Sequence, residues 1–253
     1  MNSRIFVCCP DYVAACQNHQ ALVDSAVDVS RKAEIAGRDI VVGLELRLAL
    51  LMADEVAKSH SGPRPLPLYR FIERPATEPV AIRYWPRFLN EQFDEGDALA
   101  MVREMTSTSV EARCMSVMSA ASSDGVRSVY PDPVVAAQWL SRIRALPPNR
   151  GEAFGQACFC YAEAALSHPF TDGNGRLARM MFQASLARTS GLHMPVIPLG
   201  PIIYLYHKVM IANLVYLSRT GDWTHFVEFM SRITRRAITF SGQCVAKAIN
   251  SGA

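Results

Sequence analysis

Twelve consecutive residues hold most of the reactive side chains that this chain places close together: His168-Pro169-Phe170-Thr171-Asp172-Gly173-Asn174-Gly175-Arg176-Leu177-Ala178-Arg179. An imidazole with an ordinary pKa near 6.5 is available as a neutral base at cellular pH, so His168 reads as the group that removes a proton. Asp172 offers a hard carboxylate oxygen of the kind that Mg²⁺ shares with phosphate oxygens. Gly173 and Gly175 lack Cβ atoms, and with Asn174 between them they let backbone N–H groups converge on an anion. Arg176 and Arg179, three apart, share one face of the helix that begins here. Cations at that end oppose the helix dipole by roughly 0.3–1 kcal/mol each. A bound phosphate would reverse that sign, each charge-assisted bond adding roughly 1.5–3 kcal/mol. A base, a metal carboxylate and a phosphate cradle together are equipment for nucleotidyl or phosphoryl transfer.

Two helices must hold this stretch. An apolar, alanine-rich run from Phe154 to Leu166 precedes it, and a second helical run from Leu177 to Ala187 follows. Pro169 disfavours the α conformation at His168, so the first helix should end there, with the imidazole at the lip of a loop. The second helix starts directly after the glycines, and its unpaired first-turn N–H groups face the same space.

The remaining composition narrows the setting. The chain has 253 residues, half of them hydrophobic, enough for one substantial core or a core with an appended helical part. A net charge of +3, without a dominant basic tract, argues against a nucleic-acid partner. Seven scattered cysteines fit a reducing compartment, and Cys158 and Cys160 point to different faces of one helix, a poor zinc arrangement. The apolar start is interrupted by Pro10 and Asp11, and the run from Ile40 to Met52 carries Glu45 and Arg47. The expectation is a cytoplasmic protein without a membrane span.

Along the chain, residues 12–59 are helical in pattern, with Gly37 and Gly43 weakening the helix locally. Six prolines between Pro63 and Pro86 imply an irregular connector over 61–86. Residues 87–105 return to a helical pattern. Residues 113–119 and 126–130 flank the turn-prone Ser122-Ser123-Asp124-Gly125 and read as a β-hairpin, which must lie against the helical body to be stable. Pro133 to Leu146 reads as one helix, residues 202–239 as further helices, and the small, polar stretch from Ser241 as a fraying tail.

Residues 168–179 match, without a gap, the signature His-Pro-Phe-x-(Asp/Glu)-Gly-Asn-Gly-Arg-x-x-Arg, and the chain resembles the Fic (Fic/Doc) family in its adenylyltransferase form. The resemblance implies a mainly α fold, a helical bundle with a short β-hairpin flap beside the active-site loop. It implies an N-terminal helical region (1–60), the connector (61–86), a catalytic core (87–240) and the tail (241–253). It implies that AMP moves from ATP, with Mg²⁺ on Asp172, to a Ser, Thr or Tyr hydroxyl of a target protein aligned along the flap near residues 113–130, with His168 as base. Gly173, Asn174 and Gly175 would contact phosphate, with Asn174 equally open as a helix N-cap, Arg176 the β-phosphate side and Arg179 the γ-phosphate; Tyr204, Tyr206, Asn213 and Tyr216 stand where members line the adenine pocket, although aromatics at helical spacing are more often core. Gly175 favours AMP transfer, because kinase-like members carry lysine there.

Many members also carry an inhibitory helix with the pattern (Ser/Thr)-x-x-x-Glu-(Gly/Asn), whose glutamate pairs with the second arginine. Ser30 and Glu34 match it, although Ile35 departs from it, and Ser107–Glu111 and Thr224–Glu228 fit its first part equally well. Glu34 as a plain surface glutamate stays open beside the inhibitory reading. So do AMP removal by hydrolysis in the same site, a non-catalytic binding module, and a homodimer by family habit.

Overall fold

The computed structural model describes residues 19–59, 77–117 and 129–251, and over these the chain is helical almost throughout. Leu22, Val23, Ala26, Val29 and Ala33 recur at helical spacing and bury one face of α1 (Gln20–Ala36). Gly37 and Gly43, both at positive φ, bracket a short 3-10 turn (Arg38–Ile40) and admit the chain to α2 (Leu44–Ser59). Residues 60–76 of the expected connector lie outside the described residues.

Residues 78–86, expected to be irregular, are helical instead, in α3 (Glu78–Leu89). Pro79 stands in the first turn, where a missing N–H costs nothing. Pro86 is tolerated near the other end because Trp85 and Phe88 on either side of it are buried in the core. A reciprocal cap between Asp94 and Asp97 then starts α4 (Glu95–Thr106).

The hairpin expected over 113–130 does not appear as strands among the described residues. The Tyr130 N–H donates to the Val117 carbonyl (3.1 Å), and residues 118–128 lie outside the described residues. The segment leading into it pairs with residues 169–171 instead. Ala112 bridges Phe170 in antiparallel fashion, Arg113 N–H donates to the Pro169 carbonyl (2.8 Å), and Thr171 N–H donates to the Glu111 carbonyl (3.0 Å).

Beyond it, the single helix expected over 133–146 is two, α5 (Pro133–Ala137) and α6 (Trp139–Arg144), broken at Gln138. Then come α7 (Ala153–Ser167), α8 (Asn174–Ser190), α9 (Leu199–Leu205), α10 (His207–Thr220) and α11 (Thr224–Asn250). The tail expected from Ser241 continues α11 to Asn250. Ser241 is fully buried and its hydroxyl donates to the Val196 carbonyl (2.7 Å), while Val245 packs in the core. Gly242 faces α1, where a Cβ would make ordinary contact with Val29 (3.4 Å).

α7 is the axis of the fold. It is buried on nearly every side, and α8 packs back along it to form a helical hairpin. α3, α4 and α6 lie against this pair, as do α1, α9, α10 and α11. One continuous core runs from Leu22 to Val245, so the N-terminal helices share it with the hairpin. No helix among the described residues is long and apolar enough to cross a membrane.

α6 is tied to α7 by a buried ion pair. Arg142 donates from Nε (2.8 Å) and Nη2 (2.6 Å) to Glu163 Oε1, and the Ser167 hydroxyl donates to the same oxygen (2.6 Å). Glu163 is 1% exposed, so removing its counter-charge strands an anion in the core. Arg142→Met should therefore cost about 3–5 kcal/mol in a denaturant titration, and Arg142→Met/Glu163→Met should recover most of that loss.

Candidate active site

Six residues, 168–173, connect α7 to α8, and three local devices fix their path. His168 closes α7 in the left-handed region (φ 49°, ψ 57°), which turns the chain out of the helix axis. Asn174 reaches back across the loop: its side-chain oxygen accepts from the Phe170 N–H (3.0 Å) and its amide donates to the Phe170 carbonyl (2.8 Å). Gly173 (φ 80°) stands against α4, where a Cβ would meet Val102 at 2.3 Å and Thr106 at 2.9 Å. Phe170 is buried and anchors the loop.

A fourth device comes from a distance. Arg113, buried, donates from Nε to the His168 carbonyl (3.0 Å) and from Nη2 to the Ser167 carbonyl (3.3 Å), covering the last carbonyls of α7. The same guanidinium donates to Met115 (3.4 Å) and Pro131, one carbonyl on each side of residues 118–128. Burial pulls the Arg113 pKa below its ordinary value, while Asp132 and Tyr130 push it up. Sequence reasoning missed this residue. All these partners are backbone carbonyls, which leave no side-chain pattern to read.

These supports leave the reactive groups facing one cleft of about 1040 Å³, lined by His168, Asp172, Gly173, Gly175, Arg176 and Arg179 on one side and by α9 and α10 on the other. The Tyr130 ring stacks on the His168 imidazole, centroids 3.9 Å apart. Burial lowers the His168 pKa; a hydrogen bond to the Ala165 carbonyl opposes the shift, Arg113 adds to it and Asp172 again opposes it. A neutral imidazole that donates to Ala165 keeps its other ring nitrogen as an acceptor. Asp172 is exposed, with Oδ1 accepting from the Gly173 N–H (2.6 Å). One carboxylate at a cleft wall suits Mg²⁺, which binds through one or two carboxylates and takes its other ligands from water and phosphate.

The two arginines are half-buried and each has a protein acceptor. Arg176 donates to the Met105 carbonyl (2.5 Å) in the last turn of α4, at the electronegative end of that helix. Arg179 donates to the Gly175 carbonyl (3.1 Å), and its Nε lies 3.8 Å from Glu45 Oε1. The cost of placing cations at the start of α8 is thus partly offset within the chain, a compensation that spacing alone did not reveal.

Three expectations need correction. Glu34 does not meet Arg179: its carboxylate is 3.0 Å from His193 Nδ1 and 55% exposed. Its partner Ser30 is fully buried, accepting from the Met194 N–H (2.6 Å) and donating to the Met194 carbonyl (3.3 Å), so it pins α1 to the loop after α8. The carboxylate facing Arg179 belongs to Glu45 on α2, where the Gly200 N–H (3.0 Å) and the Thr77 hydroxyl (2.7 Å) hold it. Beside it, burial and then the Glu45 charge push the Glu78 carboxyl up to about 7. The second correction is Asn174, whose side chain shapes the loop and leaves only its backbone N–H for an anion. The third concerns the wall opposite. Tyr204 and Tyr206 line the cleft with Tyr161 and Leu214, but Asn213 bonds the Val209 carbonyl (3.0 Å) and Tyr216 donates to Asp222 (3.3 Å) outside it.

A family model described as Fic/DOC family matches residues 92–186, from the loop before α4 to most of α8. Protein adenylyltransferase fic-1 of Caenorhabditis briggsae and that of Caenorhabditis elegans are each 31% identical over 83 residues, 33% of this chain and 15% of each relative. The aligned part is thus a small fraction of those curated relatives. A Fic family protein from Desulfovibrio desulfuricans shares the fold, with a TM-score of 0.56 at 18% identity over 93% of this chain and 75% of that one.

The two loop glycines should separate experimentally. Gly173→Ala meets α4 in a left-handed conformation and should cost roughly 2 kcal/mol or more. A Cβ on Gly175 meets only the far end of Arg179, at 3.8 Å, so Gly175→Ala should melt at or above the parent temperature. Thermal unfolding of both variants checks the contrast.

Proposed function

The chain contains a Fic/DOC family domain, and from that premise we propose that it is a nucleotidyltransferase that moves AMP from ATP to a Ser, Thr or Tyr hydroxyl of a target protein. The observation that carries this reading is the convergence of a neutral, half-buried imidazole, two guanidinium groups and the open start of α8 on one cleft. The His168 ring nitrogen accepts the proton of the attacking hydroxyl, Arg176 and Arg179 hold phosphate oxygens, and the first-turn N–H groups of α8 take the remaining anionic edge. Asp172 would hold Mg²⁺, which supplies charge neutralisation of the phosphates. The bond between the α-phosphorus and the bridging oxygen breaks, AMP joins the hydroxyl oxygen, and pyrophosphate leaves. Met115 (71% exposed) and Val129 (65% exposed) flank residues 118–128 and give a target backbone an apolar place to lie.

Incubation with Mg²⁺ and ATP labelled in the α-phosphate tests the reading. Label retained on protein supports transfer, free AMP alone supports hydrolysis, and neither supports a binding module. His168→Ala should lower transfer at least 100-fold while ATP affinity changes little. The sign of the pH dependence follows from burial. The neutral imidazole persists to lower pH than usual, so the acid limb should lie below pH 6.5, and His168 imposes no loss above it.

Regulation, in this reading, resides in Glu45 and not in Glu34. A carboxylate beside Arg179 occupies the guanidinium that the γ-phosphate needs, and Glu45 is the one placed there. Glu45→Gln removes the charge and keeps the oxygen that accepts from the Gly200 N–H. It should raise self-modification about tenfold, whereas Glu34→Gln should leave it unchanged. Equal rates in the two variants would remove Glu45 from this role.

A further inference from the structure

On another part of the surface, α3, the loop after it, α6, α7 and α8 line a second pocket of about 230 Å³, open to solvent, that shares no lining residue with the active-site cleft. Its walls are apolar: Phe88, Phe93, Leu140, Ile143, Met181 and Ala184. An apolar cavity of about 150 Å³ accepts a benzene ring, so this one has room for a ring with a short side chain. Its polar groups are few. The Ser185 hydroxyl is buried and hydrogen-bonded to the Cys160 thiol, whose pKa burial raises to about 11, so neither group offers a free polar atom to the pocket. Arg144 and Arg188 reach the pocket, each donating to one backbone carbonyl, of Phe93 and Leu146 respectively. Glu91, held in the left-handed region (φ 56°), supplies the one carboxylate of the lining.

An apolar pocket with two guanidinium groups against one carboxylate matches a ligand with an apolar body and an anionic end. We propose that this pocket is a binding site for a small amphipathic carboxylate, its apolar part between Phe88, Phe93 and Ile143 and its carboxylate accepting from Arg188 and Arg144. The site is independent of AMP transfer, and its test reads binding alone.

3-Phenylpropionate is a probe of the right size. Titrated into the full chain with methyl-labelled Met and Ile, it should shift the Met181 and Ile143 methyl signals in a saturable way. The neutral amide of the same acid should bind about tenfold more weakly, and Arg188→Gln should weaken the acid by a similar factor while leaving the amide unaffected. Ala184→Trp fills the pocket and should abolish binding; Arg144→Gln, at an exposed position, should weaken the acid severalfold if the Trp variant does not fold. Absence of saturation by about 10 mM, or shifts confined to other methyls, overturns the site. Equal affinity for acid and amide overturns its anionic end.

Discussion

The six residues between α7 and α8 are the constraint on which the site depends. Two helices pack back along each other through nearly their whole length, and the connection between them is too short to wander. It must leave α7 at once, which the left-handed His168 achieves, and enter α8 at once, which Gly173 achieves. Between those points the Asn174 side chain closes a small ring onto Phe170. His168 and the start of α8 are therefore held together by the packing of the two helices.

Electrostatics follow from that geometry. Ending α7 inside the protein leaves carbonyls without helical partners, and Arg113 supplies the donors. The same buried cation lies close enough to the imidazole to help keep it neutral, so one group both completes the helix end and favours the basic form of His168. Because it also holds Met115 and Pro131, the chain at both of these points is tied to the loop between α7 and α8. Arg176 follows a similar logic in drawing on the carbonyl end of α4.

Glu45 and Glu78 show how tertiary burial creates a chemical state that neither residue has alone. Glu78 accepts from the Glu45 N–H (2.7 Å), and its second oxygen is buried without a partner. Two carboxyls so close in a dry setting cannot both ionise cheaply. Glu78 therefore holds its proton to about pH 7, while the hydrogen-bonded Glu45 is the one that faces Arg179. Between pH 4.5 and 7 the native state binds more protons at Glu78 than the unfolded chain does, so this group's contribution to stability declines as pH rises through that window.

The sequence by itself determined the loop at residues 168–173 and its two flanking helices, because both rest on local rules: Pro169 stops a helix, glycines permit a turn, and alanine-rich runs with few polar residues make a buried helix. Long-range choices were not written locally. Pro86 stays in a helix because Trp85 and Phe88 are buried, and Ser241 continues one because Val196 offers a carbonyl. The pattern that singled out Glu34 is a spacing rule, and spacing does not say which face of α1 turns inward. Glu45 reaches Arg179 because α2 packs beside α9, and Arg113 reaches α7 because a strand-like segment pairs with the loop. Only the tertiary structure could decide these, since each joins residues far apart in the chain through backbone groups that every residue carries.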